Sequence, residues 1–283
     1  MTKRKMLAYA YADTPVHSLS GAAKLVIFLL WSVLVMVSFK TPILLFLAAL
    51  GLVLFRISKI RYSDISFIIK MMALFLALNL VAVYVFSPEQ GVQIYGTRNL
   101  ILKGGGRFTL TWEQIFYEFN IFIKYFSIIP PAALLMVTTQ PSELAASLNK
   151  IGVPYTAAYA VNLTLRYIPD VQRDFEAISQ AQQARGLELS RKTSFINRLK
   201  RTAPLLLPLV ILSFARIDVI SRAMELRGFG KRKKRTWYMG KPFRRADIAS
   251  LIISAIIFTA GIWITFRKGD RFFNPFLFFE SAK

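Results

Sequence analysis

The sequence contains no cysteine and a single histidine, His17, in 283 residues. The first absence excludes disulfides, thiol nucleophiles and thiolate metal sites. The second leaves no histidine cluster to hold a metal, and a lone histidine of this kind reads as structural. Acidic residues are scarce, 15 Asp plus Glu against 37 Lys plus Arg, and they are scattered through polar stretches. Acid–base catalysis needs carboxylates converging in a dry site, so the expectation is a non-catalytic chain with no cofactor and no metal. The one glycine-rich run, Lys103 to Phe108 (KGGGRF), lacks the Gly-Lys-Ser/Thr ending of a phosphate loop and reads as a turn.

What the chain has in abundance is apolar surface. It is 55% hydrophobic with 24 Phe, and its mean hydropathy is +0.46. The apolar residues come in long blocks, which points to lipid as the solvent. A helix crosses the hydrocarbon core in about 20 apolar residues, and the candidates are 22–39, 41–55, 66–86, 114–139 and 246–266. The expected fold class is therefore an all-α integral membrane protein with about five transmembrane helices. Basic residues precede the first apolar run as in a signal peptide, but no small-residue cleavage site follows, so the run reads as a retained span. Between the third and fourth spans, an outer loop at about 87–112 holds two alternating stretches around Gly104-Gly105-Gly106, the pattern of a short hairpin.

The formal net charge of +22 is confined to the connections. Residues 140–245 hold 20 of the 37 Lys and Arg; Lys3, Arg4 and Lys5 precede the first span, and Arg56, Lys59 and Arg61 follow the second. The positive-inside rule then places the N-terminus and 140–245 in the cytoplasm and the 87–112 loop outside. Three regions follow: an N-terminal membrane region at 1–139 with four spans, a cytoplasmic region at 140–245, and a last span with its tail at 246–283. The basic run at 230–245 suits anionic lipid headgroups better than nucleic acid, because it abuts a span. Within 140–245, the stretches at 154–169 and 203–220 are apolar, yet Arg166, Asp170, Arg216 and Asp218 make a membrane position expensive. They read as parts of two long amphipathic helices, one with Phe175, Ile178, Ala181 and Gln182 at helical spacing, the other with Leu209, Leu212, Arg216, Val219, Ala223 and Leu226. Two further full spans are the alternative. A shorter helix begins at Pro141-Ser142 and ends at Gly152.

The two long helices end alike. Ala184-Arg185-Gly186 closes one and Leu226-Arg227-Gly228 the other, 42 residues apart, each with alanine four residues before the arginine. Glycine ends a helix cheaply by taking the left-handed conformation. An arginine beside it complements the helix dipole for about 0.3–1 kcal/mol, which explains one such ending. The repetition suggests something more: a guanidinium at a helix tip presents a rigid fork of donors, suited to a groove on another protein, and two matched tips suit a pair of related subunits.

The residues around these tips resemble the transmembrane T component of energy-coupling factor (ECF) transporters. The likeness is carried by residues 138–186, with Thr138-Thr139, Pro141, Gly152-Val153-Pro154, Arg166, Ile168-Pro169 and Ala184-Arg185-Gly186 in the family's order. The segment Arg222 to Tyr238 carries the second arginine motif, where Leu226 stands in place of the usual small residue. The stretch from His17 to Leu25 is similar to the family's opening motif, with Ser20, Gly21 and Ala22 where the family has Asp-Pro-Arg. The likeness is weak in 88–112. It implies a coupling subunit with no ATPase of its own, in a bacterial or archaeal plasma membrane. Its implied partners are two ABC-type ATPases (a homo- or heterodimer) and a substrate-binding membrane subunit, the S component, for a vitamin or transition-metal ion. Ala184, Arg185, Gly186, Leu226, Arg227 and Gly228 become the ATPase-docking residues. A stand-alone secondary transporter or channel is the competing expectation, and it calls for ionisable residues within the spans.

Overall fold

The computed structural model describes residues 14–60, 62–102, 108–187, 195–231, 236–238, 240–267 and 272–276, with backbone only for 62–65, 68 and 195–201. The helices are α1 (Pro15–Ser18), α2 (Gly21–Val37), α3 (Thr41–Ile57), α4 (Tyr62–Phe86), α5 (Gln90–Tyr95), α6 (Trp112–Thr138), α7 (Pro141–Lys150), α8 (Tyr155–Ala184), α9 (Phe195–Leu226) and α10 (Arg245–Phe266), with strands β1 (Leu100–Leu102) and β2 (Leu110–Thr111) before α6. The chain is an all-α membrane protein. Stretches Ile69–Phe86, Trp112–Thr138, Thr202–Leu226 and Arg245–Phe266 are long and apolar enough to cross a bilayer, the third lying where the sequence reads as an amphipathic helix outside the membrane, while α2 and α3 are shorter apolar helices. The expected hairpin is present as an antiparallel β1–β2 pair, preceded by a short helix, α5, that the alternating pattern concealed. The glycines at 104–106 lie outside the described residues.

The chain divides into two compact units, residues 1–140 with 241–283, and residues 141–240. In the first, α2, α3, α6 and α10 enclose a core of Trp31, Leu34, Val35, Leu44, Leu47, Ala48 and Ile123. Gly261 lets α10 approach α2, for a Cβ there would sit 2.7 Å from Leu34 Cδ1. Polar side chains tie the helices together by donating to backbone carbonyls. Trp31 Nε1 donates to Ser127 O at 3.1 Å, Ser127 Oγ to Leu44 O at 3.0 Å, and Lys24 Nζ to Thr138 O at 3.0 Å. Lipid offers no competing hydrogen bonds, so such links suit helix association within a membrane.

The segment between α4 and α6 is held by the first turn of α6. Glu113 is fully buried; its carboxylate accepts from the Asn99 N–H at 3.0 Å, Asn99 Nδ2 at 2.8 Å and the Thr97 hydroxyl at 3.0 Å. Gln114 Oε1 accepts from Gly91 N at 3.0 Å. A buried carboxylate is tolerable when its acceptor sites are filled in this way. The tail adds aromatic contact: Phe272 lies 4.6 Å from Phe39 and 6.3 Å from Tyr95, centroid to centroid.

In the second unit, α8 and α9 pair antiparallel. Tyr159 meets Phe229 at 4.7 Å between ring centroids, and farther along α8 Asp174 meets Arg216 at 2.7 Å. The packed stripe of α9 runs through Leu205, Leu209, Ser213, Arg216, Ile220 and Met224, which are buried or half-buried. Of the face expected from sequence, only Leu209 and Arg216 belong to it; Leu212, Val219 and Leu226 are exposed. The reason is that α9 is apolar around most of its circumference, so periodicity does not identify the side that packs.

Candidate docking site: two arginine-capped helix ends

Helix α8 ends at Ala184, and Arg185 follows as the C-cap with φ −88° and ψ 11°. Gly186 takes φ +91°. Its N–H donates to Gln183 O at 3.0 Å, and the Leu187 N–H reaches back to Gln182 O, also at 3.0 Å. Those two bonds define a Schellman motif, which satisfies carbonyls that a helix end otherwise leaves bare. A Cβ at Gly186 would touch nothing within 4 Å, so the glycine is required by backbone conformation and not by space.

Helix α9 repeats the arrangement. Gly228 has φ +67°, its N–H donates to Glu225 O at 2.8 Å, and the Phe229 N–H donates to Met224 O at 2.9 Å. Arg227 therefore occupies the same place at the end of α9 that Arg185 occupies at the end of α8. Both arginines are exposed, and Leu226 is 90% exposed beside Arg227. Arg185 pairs with no carboxylate among the described residues. A third helix provides a comparison: α7 closes with Gly152 at φ +110°, Gly152 N to Asn149 O at 3.2 Å and Val153 N to Leu148 O at 3.0 Å. There the cap position holds Ile151. The backbone motif needs its glycine and does not need an arginine.

The surroundings of the α9 tip include residues that sequence reasoning missed. Phe229 packs against Tyr159 at 4.7 Å and Tyr155 at 5.9 Å, and Trp237 lies 5.3 Å from Tyr155. The Trp237 indole N–H donates to Asn149 Oδ1 at 3.0 Å, and Asn149 Nδ2 donates to Val153 O at 2.9 Å. Tyr155 and Tyr159, one helical turn apart, were the available signal: two aromatic rings on one face at the start of a largely polar helix.

Because α8 and α9 run antiparallel, the two triplets are not gathered into one site. Arg227 lies beside the first turns of α8, and Arg185 follows its last. From Tyr159 to Arg185 the helix advances roughly 39 Å at about 1.5 Å per residue. The arrangement offers two separate cationic tips on a paired-helix support. Among the described residues, no group of three or more His, Asp or Glu is placed to hold a metal ion.

Lys124 is the ionisable residue that falls farthest inside an apolar helix. It sits about midway along α6, but α6 extends past its neighbours, so Lys124 lies level with the α2–α3 turn. Its Nζ donates to Met36 O at 3.0 Å and stands 3.0 Å from the Phe39 ring centroid. This binds a carbonyl at the end of α2, a structural use of the charge.

Known proteins resemble this chain over most of its length. The family model described as "Cobalt transport protein" (CbiQ) matches residues 12–238. An energy-coupling factor transporter transmembrane protein, EcfT, of Limosilactobacillus fermentum is 29% identical over 269 residues, covering 90% of this chain and 96% of the relative. The EcfT of Listeria innocua is 34% identical over 152 residues, 51% of this chain and 57% of the relative. That of Staphylococcus aureus is 26% identical over 266 residues, 88% and 93% of the two chains. With a family-model match over most of its length, the chain belongs to the CbiQ family of membrane proteins, the transmembrane T components of energy-coupling factor transporters.

Proposed function

We propose that this chain is the coupling subunit of an ATP-driven importer, and that Arg185 and Arg227 each dock into one of two ABC-type ATPase subunits, a homo- or heterodimer. The observation that carries the reading is the pair of identical arginine-capped ends facing different places on one antiparallel helix pair. Two docking points separated by most of the length of α8, roughly 39 Å of helix, turn a change in ATPase spacing into a change in the α8–α9 pair. Ala184, Gly186, Leu226 and Gly228 shape the tips, and the exposed Leu226 supplies apolar contact beside the charge. Arginine with an apolar neighbour is the composition of an interface hot spot. The motion passes to a separate substrate-binding membrane subunit, whose cargo is a vitamin or a transition-metal ion. The chain itself hydrolyses nothing. In this reading residues 140–245 and the N-terminus face the cytoplasm of a bacterial or archaeal cell, as the positive-inside rule favours.

The test is co-purification in mild detergent from the native membrane, comparing wild type with the Arg185→Glu/Arg227→Glu variant. Wild type should bring down two ATPase chains and a small hydrophobic subunit. The variant should insert normally and lose the ATPases, because its reversed charges lie outside the helix cores. A wild type that emerges alone, or ATPases that survive both reversals, would sink the docking reading. The absence of cysteine also makes topology easy to check. A Leu226→Cys chain should react with an impermeant maleimide in inside-out vesicles and stay unlabelled in intact cells; labelling in intact cells would place the tip on the wrong side.

A further inference from the structure

In the unit formed by residues 1–140 and 241–283, a cavity of about 290 Å³ lies among α2, α3, α6 and α10. Its shaft is apolar, with Trp31, Leu34, Leu47 and Pro131 at the far end and Lys24, Thr138 and Ser250 at the near end. Along α2 the lining runs from Lys24 to Leu34, about 15 Å at the helical rise. The polar groups at the near end are engaged with protein: Lys24 Nζ donates to Thr138 O at 3.0 Å, Thr138 Oγ1 to Leu134 O at 2.7 Å, and Ser250 Oγ to Asp247 O at 2.9 Å. Apart from the Ser254 hydroxyl, the lining is apolar or already engaged, too little to hold a column of water, which needs two to four polar partners per molecule.

The cavity is open sideways. Ile253, which lines it, is 57% exposed, and Ile27, Phe28, Ser254 and Ile257 are half-buried lining residues. All of these lie on α2 and α10, the latter an apolar helix long enough to span. The opening thus faces the hydrocarbon of the bilayer. There an apolar gap neither fills with water nor stays empty without losing dispersion contacts on every wall. The solvent at that depth is itself made of alkyl chains.

We propose that the cavity is a lipid site that takes one acyl chain of a bilayer phospholipid, with the methyl end beside Trp31 and Leu34 and the ester end toward Thr138 and Ser250. This reading stands apart from the docking role of the arginine tips. The bound chain completes the packing between α2 and α10 where protein side chains do not meet, so this lipid is held more firmly than those around the periphery.

Trp31 reports on it directly. The indole is 7% exposed, so lipids on the outer surface do not touch it, whereas Trp263 is 59% exposed and faces outward. The full chain, assembled with the subunits that co-purify with it, would be placed in vesicles of phosphatidylcholine brominated along the acyl chains. Trp31 would be the only tryptophan of this chain in one sample and Trp263 in another, and the contribution of the partner subunits would be subtracted from a tryptophan-free control. Quenching of Trp31 to the same degree as Trp263 is the expected result. Quenching of Trp263 alone would overturn the proposal, including the case in which a partner's side chain fills the space. A Ser254→Phe variant on the otherwise wild-type chain provides a second measurement, because its ring would enter the shaft. Native mass spectrometry should then show one retained phospholipid in wild type and none in the variant. Equal retention in both, or free fatty acid in place of phospholipid, would refute the assignment.

Discussion

At the end of α9 the chain turns back onto aromatic rings: Phe229, immediately after the arginine and glycine, lies against Tyr155 and Tyr159, with Trp237 beside them. At the end of α8 the same position holds Leu187, an aliphatic side chain, half-buried. The two tips share a left-handed glycine and the two reverse hydrogen bonds that close the helix, and differ at the arginine N–H, which donates to Gln182 O in one and to Ala223 O in the other. The shape of each tip is thus written locally by its glycine, while its anchorage depends on distant residues. The α7 end sharpens the comparison, since it repeats the shape with isoleucine in the arginine's place. Arginine therefore adds nothing that the turn requires, and its use lies outside the turn.

Removing the brace should separate the two tips most. Trp237→Ala deletes the ring contacts with Tyr155 and Tyr159 and the hydrogen bond to Asn149. It should cost about 2 kcal/mol of local stability, within the range for loss of a large aromatic contact. Hydrogen exchange at the Phe229 amide should accelerate, with the Leu187 amide unchanged; equal acceleration at both would mean the brace supports the whole helix pair.

Alanine at the two glycines should act alike at both tips. Gly186→Ala and Gly228→Ala each force a side chain into the left-handed region, at about 1–2 kcal/mol per residue. The penalty arises within the residue's own backbone, so the brace at one tip should not change it. A markedly larger effect at Gly228, measured by the same amide exchange, would show that its surroundings add a steric demand.

The smallest effect belongs to the comparison end. Ile151→Arg places an arginine before Gly152 on an exposed turn and should change stability by no more than about 0.5 kcal/mol. It should also leave ATPase co-purification unaltered. If the variant captured additional ATPase, an arginine before a helix-ending glycine would suffice for docking by itself, and the spacing of the two natural tips would lose its significance.

Much of this was legible in the residues because it rests on local rules. Pro141, Gly152, Gly186 and Gly228 mark helix boundaries through backbone preferences that operate within a few residues: α7 begins at Pro141, and α7, α8 and α9 end just before the glycines. The alternating stretches flanking Gly104 formed the expected strand pair for the same reason. What escaped was non-local. The packed stripe of α9 was misjudged because Leu212, Val219 and Leu226 are as apolar as the residues that do pack. The hold of Glu113 on Thr97 and Asn99 depends on how the segment between α4 and α6 folds over α6.

The sequence by itself determined that this chain lives in a membrane, that its charge gathers in the connections, and that two helices end in matched arginine tips. Hydrophobic run length, charge placement and the left-handed preference of glycine act at short range and survive without knowledge of the fold. Only the tertiary structure decided that the tips stand far apart and not side by side, that one is braced by aromatic rings, and that four helices leave an apolar cavity beside Trp31. These follow from the antiparallel pairing of α8 with α9 and from the packing of α2 against α10. Both bring together side chains that are distant in sequence, and no periodicity along the chain records which of them will meet.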